Sequence, residues 1–128
     1  MKEPHWIPVE AIRAIHLELI AEHGGLPGLK DGNLLESALA RARNLWSYGR
    51  PTLFDLAAAY GFGLAKNHSF VDGNKRTALA AIDIFLRMNG WELDSSEAET
   101  VDIIQRLAAG ELNQTALAAW IKKNAVRL

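Results

Sequence analysis

Within the nine residues His68 to Arg76 the chain sets a histidine, a carboxylate, a side-chain amide and two cations. The segment reads Asn67-His68-Ser69-Phe70-Val71-Asp72-Gly73-Asn74-Lys75-Arg76-Thr77 and stands where a helix begins. A helix start carries unpaired backbone N–H groups and a partial positive charge, which together make an anion site. Lys75 and Arg76 fall in that first turn, where cations oppose the helix dipole. A bound polyphosphate accounts for both, since arginine grips phosphate through two parallel bonds and lysine acts as a point charge. Gly73 lets the backbone come close to a ligand. Asp72 suits a magnesium ion, which takes one or two protein carboxylates beside phosphate oxygens. His68 suits proton abstraction from a hydroxyl near neutral pH. Phe70 and Val71, both apolar, are expected to anchor the segment and turn its polar groups outward. Base, metal ligand and phosphate clamp are the parts needed for group transfer from a nucleotide. A plainer reading stands beside this one. Asp72-Gly73-Asn74 is a good turn and N-cap, and a single histidine ahead of a helix is more often structural. The combined spacing is what favours chemistry.

Helices must position this segment. Ile12, Ile15, Leu19 and Ile20 recur at three- and four-residue spacing, so a first helix is expected from about Pro8 to His23, stopped by Gly24-Gly25. Leu26-Pro27-Gly28 is a turn. Asp31 to Asn33 reads as the cap of a second helix ending near Asn44. Periodicity lapses from Leu45 to Thr52, and that stretch reads as a loop. A third helix is expected over about Leu53 to Asn67; its small residues, among them Ala57, Gly61 and Gly63, predict close approach to a neighbour. A fourth runs from Asn74 to Asn89-Gly90, with Leu79, Ile82, Phe85 and Leu86 as its apolar stripe. Trp91-Glu92-Leu93 is a short extended piece. Ser95 or Ser96 caps a fifth helix through Ala109, and a sixth spans about Asn113 to Lys123. No repeat, linker or low-complexity tract interrupts the series. The expectation is an all-α, six-helix bundle forming one domain over residues 1–128.

Composition narrows the class. The chain is 49% hydrophobic and 23% charged, which supports a packed core rather than disorder. Its net charge of -1 lacks the basic balance of a nucleic-acid binder. With no cysteine there is no disulfide framework and no cysteine-held zinc. No apolar run has the length of a membrane span, and Met1 to Pro8 lacks the apolar core of a signal peptide. A cytoplasmic protein is expected. The four histidines show no zinc-type spacing. His16 reads as a packed histidine with one local hydrogen bond, His23 as a helix-end residue, and His5 as part of a frayed terminus. Trp91 and Trp120 read as core or rim aromatics. Lys122, Lys123 and Arg127 read as a solvated basic end.

His68-Ser69-Phe70-Val71-Asp72-Gly73-Asn74-Lys75-Arg76 resembles the signature of the Fic/Doc superfamily, H-x-F-x-[DE]-G-N-G-R-x-x-R, in its death-on-curing (Doc) form, H-x-F-x-D-[AG]-N-K-R. Gly24-Gly25-Leu26-Pro27-Gly28 with Asp31, Leu35-Glu36-Ser37-Ala38-Leu39, Ala58-Ala59-Tyr60 and Ala65-Lys66-Asn67 look like further family segments, so the resemblance spans about Pro8 to Lys122. Two positions separate the branches. Lys75 stands where Fic has glycine, and Leu79 where Fic has a second arginine. The Fic form goes with transfer of AMP; the Doc form goes with a reversed nucleotide and transfer of the γ-phosphate of ATP. The resemblance therefore implies a toxin of a toxin–antitoxin pair, a kinase phosphorylating elongation factor Tu and arresting translation. By the same resemblance His68 is the general base and Asp72 the Mg2+ ligand. Gly73, Asn74, Lys75 and Arg76, with Lys66 nearby, bind phosphate.

It further implies a cognate antitoxin whose flexible C-terminal segment folds into a groove beside the site. Leu45, Trp46, Tyr48 and Leu53 are candidates to line that groove, with loop anchoring as the alternative, favoured for Trp46. Ser95 and Glu99 have the spacing of a Fic self-inhibition motif, but Thr100 stands where glycine or asparagine is expected, which argues against it. A Fic-type AMP transferase and a non-catalytic interaction module with the same fold are the competing readings.

Overall fold

The computed structural model describes all residues, Met1–Leu128. It contains six helices and one small sheet: α1 (Val9–His23), α2 (Gly32–Tyr48), α3 (Leu53–Asn67), α4 (Asn74–Met88), β1 (Trp91–Leu93), α5 (Glu97–Ala108), α6 (Gln114–Asn124) and β2 (Ala125–Arg127). The all-α, six-helix expectation is borne out. No helix is long and apolar enough to cross a membrane.

Local chemistry explains most boundaries. The Asp31 carboxylate accepts from the Asn33 and Leu34 amides and starts α2. Thr52 and Asp55 form a reciprocal capping box at α3, each side chain accepting the other's backbone N–H. Ser96 and Asn113 cap α5 and α6 in the same one-sided way as Asp31. The second helix, however, does not stop near Asn44. It continues to Tyr48, four residues into the expected loop. Trp46 packs edge-on against Trp6 at 6.5 Å, and the Ser47 hydroxyl bonds back to the Arg43 carbonyl. These contacts hold a turn that carries no apolar periodicity of its own.

The centre of the molecule is α3. Nine of its fifteen residues are buried, because α2, α4, α5 and α6 all pack against it. Its small residues make this possible. A Cβ added at Gly63 would stand 2.9 Å from the Ala38 carbonyl oxygen and 3.0 Å from the Ala38 Cα. That neighbour is helix backbone and cannot move aside. Gly63→Ala is therefore expected to destabilise the protein. The overpacking penalty of about 1–3 kcal/mol exceeds the roughly 1 kcal/mol that alanine gains in helix propensity. A urea-denaturation midpoint equal to wild type would contradict this packing.

The C-terminus departs from expectation. β2 pairs antiparallel with β1 in the register Trp91↔Arg127 and Leu93↔Ala125. The Arg127 guanidinium lies 4.8 Å over the Trp91 ring, which Phe54 meets edge-on from another direction at 5.1 Å. Lys122, Lys123 and Arg127 are exposed, as expected of a solvated basic end, but Arg127 is also held in a small sheet. The N-terminus is likewise tied down: the Asn89 side chain accepts from the His5 amide and donates to the His5 carbonyl, and the buried Ile7 amide donates to the Tyr60 hydroxyl.

Candidate active site

Four devices fix the segment between α3 and α4. His68, the C-cap of α3, adopts the left-handed conformation (φ 52, ψ 50), the only non-glycine residue with positive φ. That conformation costs an L-residue roughly 1–2 kcal/mol, and such strain gathers at functional sites. Beyond it the chain runs against the α1–α2 connection. The Lys30 and Asp31 amides donate to the Ser69 carbonyl at 2.8 and 3.2 Å, and the Val71 amide donates to the Gly28 carbonyl. The Asn74 side chain then closes the loop on itself, accepting from the Phe70 amide (3.0 Å) and donating to the Phe70 carbonyl (2.9 Å). Finally Phe70, 3% exposed, stacks on the His16 ring at 3.8 Å and 9°. Phe70 is the anchor the sequence suggests. Val71 is not: it is 51% exposed and faces solvent and the cavity.

Asp72 and Gly73 set the entry to α4. One Asp72 oxygen accepts from the Gly73 amide at 2.8 Å and the other from the Leu26 amide at 3.2 Å. Those two amides, the Leu26 bond first, hold the carboxyl below the usual carboxylate range, with the Arg76 charge and His16 adding to the effect. Asp72 is therefore anionic throughout the neutral range. Gly73 has φ 77. Its missing side chain leaves room that Ile20 and His16 of α1 fill, 3.1 and 3.6 Å from where a Cβ would stand. At this position glycine serves the turn and the packing of α1.

Unlike α2, α3, α5 and α6, helix α4 has no side-chain cap. Its first backbone bond is Thr77 N–H to the Gly73 carbonyl, so the amides before Thr77 have no partner within the helix. Lys75 and Arg76 are exposed on this turn, and neither makes an ion pair. A cavity of about 660 Å³ opens over it. One wall holds His68 and Val71 to Arg76; the other is Leu79 of α4 with Val101, Ile104, Gln105 and Ala108 of α5. The chamber is thus polar and cationic at the helix start and largely apolar toward α5, suited to a ligand with an anionic end and a flat or apolar end.

Six of the seven residues singled out from the sequence meet at this cavity. Lys66 does not line it; its ammonium lies 3.5 Å from where a Cβ on Gly110 would stand, at the α5–α6 turn. Asn74 lines the cavity, but its amide holds the Phe70 backbone. The four candidate groove residues are not gathered in one groove. Leu45 and Leu53 border separate hollows, Tyr48 is 80% exposed, and Trp46 packs on Trp6. Glu99 of α5 accepts from the indole N–H of Trp120 on α6 at 2.8 Å and does not line the cavity.

Sequence reasoning missed the α5 wall, which carries no motif. It also misjudged His16, whose ring bonds the Asp72 carbonyl at 2.7 Å, fifty-six residues away, and not a local partner. The signal lay in a histidine on a buried helix face, which must find a partner for its polar atoms.

Asp72 is the sole carboxylate lining the cavity, and no cluster of three or more acidic, histidine or cysteine side chains forms a protein cage for a metal. Magnesium does not need one, since phosphates and waters complete its shell. Each Asp72 oxygen makes a single amide bond and keeps a lone pair free, so the donor chemistry fits a phosphate-bound magnesium ion.

Comparison with known proteins agrees with this architecture. Residues 6–86 match the family model described as the Fic/DOC family. The chain is 36% identical over 120 residues to "Protein kinase doc" of Escherichia phage P1, covering 93% of this chain and 94% of that protein. It is 41% identical over 103 residues to "Toxin Doc" of Mycolicibacterium smegmatis (strain ATCC 700084 / mc(2)155), covering 75% and 77%.

Proposed function

The chain belongs to the Fic/DOC family, and on that premise we propose that it is the toxin of a toxin–antitoxin pair, a kinase that moves the γ-phosphate of ATP onto a hydroxyl of elongation factor Tu and arrests translation. The observation that carries the reading is the uncapped start of α4, with unpaired Lys75 and Arg76 in its first turn, opening on a cavity that also holds His68 and Asp72. The names of the two relatives, a kinase and a toxin, support its two halves.

The chemistry follows from the residues. Phosphate oxygens lie against the free amides of α4, with Arg76 as a two-pronged clamp and Lys75 as a point charge. A magnesium ion held by Asp72 would neutralise the charge that builds on the phosphate oxygens. His68 takes the proton of the target hydroxyl as that oxygen bonds to the γ-phosphorus. The bond from the γ-phosphorus to the bridging oxygen breaks, ADP departs with the electron pair, and His68 later returns its proton to solvent. One turn along α4 from Arg76 the cavity lining turns apolar at Leu79, and Ile104 of α5 also lines it. The phosphate clamp is therefore confined to the helix start, which supports delivery of the terminal phosphate rather than of AMP.

A host test reads the proposal directly. Induced expression is expected to stop growth and amino-acid incorporation, and co-expression of a short gene lying directly upstream is expected to relieve both. Unimpaired incorporation at high levels of folded toxin would contradict it.

A further inference from the structure

The His16 ring makes two contacts with the active loop at once. Its Nε2 lies 2.7 Å from the Asp72 carbonyl oxygen, and its face stacks on Phe70. A carbonyl only accepts, so Nε2 must carry the proton; the bond fixes the imidazole tautomer. The residue is 3% exposed and sits between Ile12 and Ile20 on the buried face of α1. Its ring also borders the space a Cβ on Gly73 would take. From a rigid helix, then, one side chain reaches both ends of the Phe70–Gly73 segment. Leucine would keep the packing and glutamine the hydrogen bond; histidine alone supplies both.

We propose that His16 is a positioning residue of the active site. It holds the Asp72 backbone so that the Asp72 carboxylate and the first amides of α4 share one fixed geometry. Phosphotransfer tolerates little misplacement of such groups, and loss of a supporting contact typically costs 10- to 100-fold. The inference rests on the phosphotransfer reading for its kinetic consequence, though the geometric claim stands apart from it.

The test compares wild type with His16→Leu and His16→Gln, using ATP, magnesium and elongation factor Tu. In folded His16→Leu, kcat is expected to fall roughly 10- to 100-fold while KM for ATP stays within about threefold, the pattern of lost transition-state alignment. His16→Gln is expected to recover most of that loss. Wild-type kcat in His16→Leu would overturn the proposal, as would a His16→Gln protein of wild-type melting temperature that is no better than His16→Leu. Should wild type transfer nothing, the phosphotransfer reading falls, and amide hydrogen exchange decides the positioning claim. Faster exchange over Asp72 to Arg76 in His16→Leu, restored in His16→Gln, upholds it; unchanged exchange overturns it. Should His16→Leu fail to fold, nitrogen-15 NMR of the wild-type imidazole decides. A slowly exchanging Nε2–H proton is expected, and a neutral Nδ1–H tautomer would overturn the proposal.

Discussion

His68→Asn is expected to lower the transfer rate by about 10²- to 10⁴-fold, the range general-base catalysis supplies. Asparagine is the informative replacement. His68 sits at φ 52, where a β-carbon residue is strained, and asparagine tolerates that conformation better than alanine. The side chain is exposed, so stability is expected to stay within about 0.5 kcal/mol of wild type. Loss of activity would then report the missing imidazole and not a disturbed loop. The same variant is expected to leave host growth unimpaired when expressed. A folded His68→Asn protein transferring within tenfold of wild type would remove the general-base role.

Asp72→Asn is the second large effect. The carboxylate has two duties: it accepts from the Leu26 and Gly73 amides, and it is the one anion in the cavity able to hold magnesium. Alanine would remove both. Asparagine keeps an oxygen for one amide and removes the charge. Transfer is expected to drop by about 100-fold or more, because the metal's neutralisation of phosphate charge contributes several kcal/mol and each 1.4 kcal/mol is tenfold. The half-saturating magnesium concentration should rise with it. A titration of activity against magnesium that superimposes on wild type would show that Asp72 is not the ligand.

Much of this arrangement was legible in the sequence because it is encoded locally. Thr52 with Asp55, Asp31, Ser96 and Asn113 announce helix starts through side chains a few residues from the amides they serve. The candidate segment is similarly compact: His68 to Arg76 are contiguous in sequence, and Lys75 and Arg76 share the first turn of α4. What escaped the reading is long-range. The extension of α2 to Tyr48 depends on Trp6, forty residues earlier in the chain. The strand at Ala125 to Arg127 exists because β1 offers it an edge. The α5 wall of Val101, Ile104, Gln105 and Ala108 reads as an ordinary amphipathic helix until the fold sets it opposite α4. His16 reads as one more packed residue until the chain brings Asp72 beside it. Asn74 shows the converse. The family resemblance implied a phosphate-binding side chain, while its amide is engaged with both polar atoms of the Phe70 backbone.

In the proposed reaction Lys75 and Arg76, on an α4 start that no side chain caps, present the terminal phosphate of ATP to a protein hydroxyl. This reaction is tested most directly by incubating the purified chain with magnesium, ATP and purified elongation factor Tu, then measuring the intact mass of the elongation factor. A gain of about 80 Da, one phosphate, is the predicted result; a gain of about 329 Da, one AMP, would show the opposite nucleotide orientation and contradict the account.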